Sequence, residues 1–276
     1  MDPATLGGII VALASLIVMA VMEGANPMSL LLPAPMILVF GGALGAAFAT
    51  TTLPDSIASL TMIPKALLYK GLKPGKDVTQ LVELAEIARK DGLLALEAKA
   101  GEMKDPFLKT ALQNVADGMD PDDLRTLLED EAAAAEKGGR SASKFFAALG
   151  GYAPTVGILG TVVSLTHVLE NLDDPSSLGH SIASAFVATL WGVLSANLIW
   201  LPIGSRIGKM TDLQSERLTV LTEGVLAIQS GVQPRALNDK LTAMLPLADR
   251  PKAAAKGGAK DGAKAAKAAK PAEAAA

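Results

Sequence analysis

Two threonines, Thr161 and Thr189, lie within long, mainly apolar stretches, where a hydroxyl group could contact an ion or water. Thr161 shares one helix face with residues at steps of three and four, namely Pro154, Gly157 and Ser164. Thr189 lies at the edge of a similar face formed by Ser181, Ser184, Ala188, Gly192 and Ser195. Small and hydroxyl residues also suit close packing between membrane helices. The two threonines therefore either line a hydrated passage or serve helix packing.

The same stretches contain no Asp, Glu, Lys or Arg. A charged side chain at the centre of a bilayer costs about 2.5–3.5 kcal/mol and is retained where ions or protons are handled. The chain therefore lacks the carboxylate that an ion path needs, and either conducts nothing or uses a carboxylate from another chain. His167, the one histidine within a stretch, is either an interfacial histidine or a proton relay.

Two prolines, Pro154 and Pro202, lie near the ends of the third and fourth stretches. Proline lacks a backbone N–H and bends or ends a helix, so each is either a hinge or a helix end. The sequence has no nucleophile elbow, P-loop or metal-ligand cluster, and it contains no cysteine. We therefore predict no catalytic residues, no metal and no cofactor, and we do not expect an enzyme.

Four charge-free stretches are long enough to cross a bilayer, which takes about 20 apolar residues. They are residues 4–22, 34–53, 145–169 and 181–203. All 25 basic residues lie outside segments 1–53 and 145–205, so the positive-inside rule predicts that both termini and the long middle segment are cytoplasmic. The net charge of −3 gives no reason to expect a nucleic-acid partner. The predicted fold is an all-α membrane protein with four transmembrane helices in two hairpins.

The segment between the hairpins, residues 54–144, is predicted to be a helical cytoplasmic domain. Apolar periodicity predicts helices over 77–90 and 107–115, and Pro121 followed by acidic residues predicts a third helix start. Gly92 is expected to end the first helix, and the second is expected to end near Gly118.

The remaining domain boundaries follow from the same charge and hydropathy pattern. Residues 1–53 form the first hairpin, and residues 145–205 form the second, which carries the candidate ion path. Residues 206–249 are predicted to form cytoplasmic helices. Residues 250–276, rich in Ala and Lys, are predicted to be a disordered tail that could rest on the anionic headgroups of membrane lipid.

Four stretches resemble motifs of one known family. Residues 150–161, GGYAPTVGILGT, resemble the third helix of MotA/PomA flagellar stator proteins, and residues 188–202 are similar to their fourth helix through ATLWG, AN and LP. The related ExbB and TolQ energisers share a looser version of both helices. Residues 23–42 resemble the first hairpin of MotA/PomA through EGANP and FGG, and residues 84–97, LAEIARKDGLLALE, resemble their rotor-facing segment. The resemblance covers about residues 5 to 245.

This resemblance implies a stator subunit of the bacterial inner membrane that converts ion flow into torque for motility. It implies a homopentameric ring around a MotB/PomB-type partner, a single-span protein anchored to peptidoglycan. The partner's aspartate would supply the missing carboxylate. Pro154 and Pro202 match the family's coupling prolines, and Thr161 and Thr189 match its ion-path threonines.

The resemblance also bears on the coupling ion and on the rotor. Thr161 is typical of sodium-driven members and favours Na⁺ over H⁺, whereas Ala188 stands where those members often carry another threonine. The charged residues Arg89, Lys90 and Glu97 match those that face the rotor protein FliG; the residues alone indicate only a solvated helix surface. The alternative function is an ExbB/TolQ-like energiser of outer-membrane transport, although such proteins usually have three spans.

Overall fold

The computed structural model describes residues 3–250 apart from positions 25, 70 and 174, and it describes side chains from residue 7 onward except those of residues 175–177. The regular structure in this part of the chain is entirely helical. The α-helices are α1 (Pro3–Met22), α2 (Pro33–Ala49), α3 (Leu53–Leu67), α4 (Pro74–Asp91), α5 (Ala95–Glu102), α6 (Pro106–Ala116), α7 (Pro121–Glu170), α8 (Pro175–Ser195), α9 (Leu201–Gln229) and α10 (Pro234–Met244). A π-helical turn (Ala196–Trp200) joins α8 to α9, and 3₁₀ turns cover Pro27–Leu30 and Leu247–Asp249. The predicted Ala/Lys tail lies outside the described residues from position 251 onward.

The helices predicted for the middle segment are confirmed as α4, α6 and the start of α7. Gly92 follows α4 with a φ of 84°, and Gly118 follows α6 with a φ of 76°. Glycine adopts this left-handed region without a steric penalty, which is why both helices end where the sequence predicts. Pro121 is the first residue of α7, a position at which proline loses no helical hydrogen bond.

One compact unit contains residues Met1–Gly71 and Glu136–Asp212. Its core is formed by α2, α3, α7 and α9, with Phe146 fully buried among alanine, leucine and isoleucine side chains. Gly139 of α7 is buried, and a Cβ there would overlap Thr211 of α9. The Ser143 hydroxyl donates to the carbonyl oxygen of Gly204 at 2.8 Å. The glycine therefore permits close contact between α7 and α9, and α7 continues through it without a break.

Two described helical stretches are long and apolar enough to cross a membrane, Pro121–Glu170 and Leu178–Gln229. Two shorter apolar helices, Gly7–Met22 and Pro33–Ala49, match the first two predicted spans in position.

The second compact unit contains residues Leu72–Ala135 and Leu213–Ala276, described up to residue 250. Its core joins α4, α5, α6 and α10 to one end of α7 and one end of α9. Leu81 of α4 and Leu221 of α9 are fully buried in this core. A Cβ at Gly224 would lie 2.5 Å from the Leu81 side chain, so α4 and α9 approach closely where α9 carries no side chain.

A partly buried ion-pair cluster supports this core. The Arg217 side chain is 13% exposed, and its guanidinium contacts the Asp77 carboxylate at 2.7 Å and the Asp105 carboxylate at 2.6 Å. Asp77 lies in the first turn of α4, and Asp105 caps α6 by accepting the Leu108 N–H at 3.2 Å. Both carboxylates therefore lie where helix dipoles favour negative charge. Arg217 links the starts of α4 and α6 to α9.

A second ion-pair cluster predicts acid sensitivity. Glu223 accepts from Lys240 at 2.7 Å and from Arg125 at 2.8 Å. These two hydrogen bonds lower the pKa of the Glu223 carboxyl below its ordinary 4.5, although partial burial opposes them. Because the pKa is lower in the folded state, the stabilisation is complete above about pH 4.5 and is lost as the pH falls through the folded-state pKa.

We therefore expect the unfolding temperature of Glu223→Gln to decline less steeply below about pH 4.5 than that of the wild type. Thermal unfolding of the purified protein over descending pH measures this difference. Asp239→Asn is the matched control, because Asp239 is an exposed acid in α10 beside Lys240 and forms no ion pair with a described residue. Parallel declines for wild type and Glu223→Gln would contradict the assignment.

Candidate ion path and rotor-facing segment

The α7–α8 contact is formed by two opposed glycines, Gly157 and Gly192. A Cβ on Gly157 would lie 2.8 Å from the carbonyl oxygen of Ala188 and 3.4 Å from the Cα of Thr189. A Cβ on Gly192 would lie 3.3 Å from the Cα of Pro154. Only glycine allows the backbones to come this close. Two of the predicted site residues, Pro154 and Thr189, therefore flank the same backbone contact.

The two candidate threonines differ in their hydrogen bonds. Both are half-buried. The Thr161 hydroxyl donates to the carbonyl oxygen of Ile158 at 2.6 Å, which engages its proton and leaves its oxygen as an acceptor. The Thr189 hydroxyl has no hydrogen-bond partner among the described residues. Thr189 can therefore both donate to and accept from a group outside the chain.

The two predicted coupling prolines lie on facing segments. Pro154 is inside α7, which continues to residue 170, so it does not mark a helix end. Pro202 is the second residue of α9, directly after the π-helical turn, in which the Leu201 N–H bonds to the Ala196 carbonyl oxygen five residues back. A Cβ at Gly150, one turn before Pro154, would lie 3.5 Å from the Leu201 backbone nitrogen. An irregular turn thus faces the segment of α7 that leads into Pro154.

Small residues continue this contact along both helices. A Cβ at Gly160 would lie 2.8 Å from the Ala188 Cβ and 3.1 Å from a methyl carbon of Leu38 in α2. Ser195 is fully buried and donates within α8 to the Gly192 carbonyl oxygen at 3.3 Å. His167 is exposed near the end of α7, with its Nδ1 3.2 Å from the Asn171 amide nitrogen.

Trp191 fixes the first hairpin to α8, a role that its apolar type does not indicate in the sequence. Its indole Nε1 donates to the carbonyl oxygen of Leu30 at 2.7 Å, in the turn between α1 and α2. The Phe40 ring of α2 packs against it with a centroid separation of 5.8 Å. These contacts hold α2 against α8 two residues from Thr189. The nearest sequence signal is the presence of an aromatic residue with a donor in an otherwise apolar span.

The predicted rotor-facing residues lie at the turn between α4 and α5. Arg89 and Lys90 are in the last turn of α4, and Glu97 is in the first turn of α5. All three side chains are exposed, and none forms an ion pair with a described residue. Their signs suit the helix dipoles, which is a structural reason for their placement. They are equally available to charges on a partner.

The described residues hold no group of His, Cys, Asp or Glu side chains suited to a metal ion. The described helices include long apolar ones that pack through glycines and hydroxyl groups with no charged side chain at their contact, which is typical of an integral membrane protein.

Comparison with known proteins agrees with this class. The sequence profile of the MotA/TolQ/ExbB proton channel family matches residues 99–219. Motility protein A of Bacillus subtilis is 34% identical over 270 residues, covering 96% of this chain and 98% of the relative. Chemotaxis protein PomA of Vibrio alginolyticus is 32% identical over 241 residues, covering 87% and 94%.

Solved structures agree as well. The C. jejuni MotAB structure matches with a TM-score of 0.84 and 29% identity, covering 90% of this chain and 97% of that one. The flagellar MotAB stator complex of Bacillus subtilis matches with a TM-score of 0.81 and 31% identity, covering 89% and 97%. The chain therefore belongs to the MotA/TolQ/ExbB proton channel family, in its MotA-type stator branch.

Proposed function

We propose that the chain works with a MotB/PomB-type partner as an ion-conducting stator that turns the flagellar rotor. The main support for this proposal is the glycine contact between α7 and α8. Pro154 and Thr189 flank this contact, and it contains no carboxylate. Ion transfer through a membrane needs such a group, so the partner's aspartate completes the path. The MotAB composition of the matching complexes supports this arrangement.

The proposed topology has four spans in the bacterial inner membrane, with both termini and residues 54–144 in the cytoplasm. It is supported by the positions of the apolar helices and by the exclusion of all basic residues from segments 1–53 and 145–205. Because the chain has no cysteine, single introduced cysteines test it. In intact spheroplasts, a membrane-impermeant maleimide should label Ser29→Cys, whereas Lys99→Cys should react only after lysis. The reverse pattern would overturn the orientation.

In the proposed mechanism, an ion neutralises the partner's carboxylate and thereby removes a charge from a low-dielectric site. One charge crossing 100 mV releases about 2.3 kcal/mol, enough to bias the packing of α7 against α8 between two states. Subunits arranged as a ring of five would then rotate. The exposed Arg89, Lys90 and Glu97 would transmit the motion to FliG. The threonine at position 161 favours Na⁺ as the coupling ion, with H⁺ as the alternative.

Swimming of a clean deletion strain tests the function, with flagella counted and external sodium varied in the complemented strain. Cells with normal flagella that do not swim would support the stator, and sodium-dependent rescue would identify the ion. Normal swimming in a host without another stator set would favour the ExbB/TolQ-like alternative. The α1–α2 hairpin, fixed to α8 through Trp191, favours the four-span stator over that alternative.

Thr189→Val should reduce ion conduction and swimming speed strongly, because valine keeps the shape of threonine but removes the unpartnered hydroxyl. Loss of a polar contact to a charged group costs about 1.5–3 kcal/mol, or roughly ten-fold or more in rate. Thr189→Ser should keep most of the activity. Thr166→Val is the control, because the Thr166 hydroxyl is bonded within its own helix to the Val162 carbonyl oxygen at 2.9 Å. Equal swimming by Thr189→Val and Thr189→Ser would rule out a role for the hydroxyl.

A further inference from the structure

An open cleft of about 510 Å³ lies between α1 and the junction of α8 with α9. Gly8 and Ile9 of α1 form one wall. Asn197 and Leu198 of the π-helical turn and Pro202 of α9 form much of the other. The volume is within the range of sites that hold small organic groups, about 300–1,000 Å³.

Two features of the backbone create this space. The π-helical turn is wider than an α-helical turn, and such turns are frequent at functional sites. Pro202 provides no N–H to the carbonyl oxygens one turn before it. On the opposite wall, a Cβ added at Gly8 would meet no atom within 4 Å. The cleft is therefore open where Gly8 carries no side chain.

Polar hydrogen-bond donors collect on the α9 side of the cleft, while the α1 side is apolar. Arg206 lines it, with its guanidinium carbon 5.7 Å from the centre of the Tyr69 ring. Ser205 contributes a hydroxyl, and Asn197 uses one amide hydrogen on the Val193 carbonyl oxygen, at 2.8 Å, which leaves its second hydrogen. No acidic side chain lines the cleft. An apolar groove that ends in a guanidinium and neutral donors suits a ligand with a hydrocarbon chain and a phosphate.

We propose that this cleft binds an anionic phospholipid of the cytoplasmic leaflet, with its phosphate on Arg206 and an acyl chain along Gly8 and Ile9. Arg206 is the first basic residue after segment 145–205, which contains no Lys or Arg, and this places it at the cytoplasmic membrane boundary in the proposed topology. Basic pockets between membrane helices at this level attract anionic headgroups. The inference rests on that topology. A lipid bound here would also contact Pro202, one of the candidate coupling prolines.

Native mass spectrometry of the purified complex of the full chain with its partner tests the proposal. Phosphatidylglycerol is added in one arm, phosphatidylethanolamine with the same acyl chains in a second, and inorganic phosphate with phosphatidylglycerol in a third. Wild type should retain phosphatidylglycerol preferentially, and Arg206→Gln should lower this retention by roughly ten-fold. Lys209→Gln should have no effect, because Lys209 is exposed on the same helix but does not line the cleft.

A second variant tests the groove independently of the charge. Gly8→Leu would fill the space in front of α1 and should displace the lipid, whereas Gly7→Leu, also free of steric conflict but outside the lining, should not. Unchanged phosphatidylglycerol retention in Arg206→Gln or Gly8→Leu would overturn the proposal. Equal retention of both lipids, or displacement by inorganic phosphate, would also overturn it. A negative result for lipid binding is distinguishable from failure of the proposed function. The deletion strain tests motility, and the cysteine labels test topology, without any lipid measurement.

Discussion

Replacing Gly192 with alanine should abolish or severely slow flagellar rotation while the subunit still reaches the membrane. A Cβ at this position would lie 2.8 Å from the Ala153 carbonyl oxygen and 3.1 Å from the Cα of Gly157. Both neighbours are backbone atoms, so no side chain can rotate away, and α7 must move from α8. Overpacking of this kind costs about 1–3 kcal/mol. The displacement falls between Pro154 and Thr189, where the proposed ion path and coupling site meet.

The measurement is swimming speed together with the membrane level of the subunit and its co-purification with the partner. Gly45→Ala in α2 is the control, because a Cβ there would meet no atom within 4 Å. Loss of swimming with normal membrane level and co-purification would assign the defect to the α7–α8 contact. Wild-type swimming by Gly192→Ala would show that the contact tolerates separation, and the coupling role of this crossing would then be wrong.

Much of the helical framework could be predicted because its signals are local. The charge-free stretches of residues 145–169 and 181–203 required apolar helices, and Pro121 marked the start of α7. Gly92 and Gly118 marked helix ends because a left-handed backbone is unfavourable for other residue types. These features depend on neighbouring residues alone.

The structural features that could not be predicted depend mainly on contacts between residues that are distant in sequence. Helix α3 was not predicted, since Asp55, Lys65 and an internal Pro64 interrupt its apolar pattern. The close contact of Gly139 with Thr211 could not be predicted, because nothing near Gly139 in the sequence indicates that Thr211 packs against it. The π-helical turn was not predicted, although Pro202 beside it indicated a hinge or a helix end. Thr189 could be named as a candidate from its type and from the family resemblance, but the absence of a hydrogen-bond partner for its hydroxyl among the described residues required the structure.

The ion-pair cluster around Arg217 could not be predicted for the same reason, because Asp77, one of its carboxylate partners, is 140 residues away in sequence. Arg217→Met should destabilise the unit that contains α4 and α6. Methionine keeps an unbranched apolar stem but leaves Asp77 and Asp105 without their counterion, and both side chains are at most 26% exposed. Removing one partner of a buried ion pair costs about 3–5 kcal/mol, and the partial exposure of Asp105 favours the lower end.

The expected result is a fall of roughly 5–10 °C in the unfolding temperature of the purified complex. The triple variant Asp77→Asn, Asp105→Asn and Arg217→Met should recover much of this loss, because it leaves no buried charge unpaired. Asparagine at position 105 can still accept the Leu108 N–H and cap α6. Arg89→Met is the control, because Arg89 is exposed. This variant should leave the unfolding temperature unchanged, and it should impair swimming if Arg89 contacts the rotor. If the triple variant were less stable than Arg217→Met alone, the cluster would stabilise the fold through its hydrogen bonds. The interpretation that Arg217 acts by pairing buried charges would then be wrong.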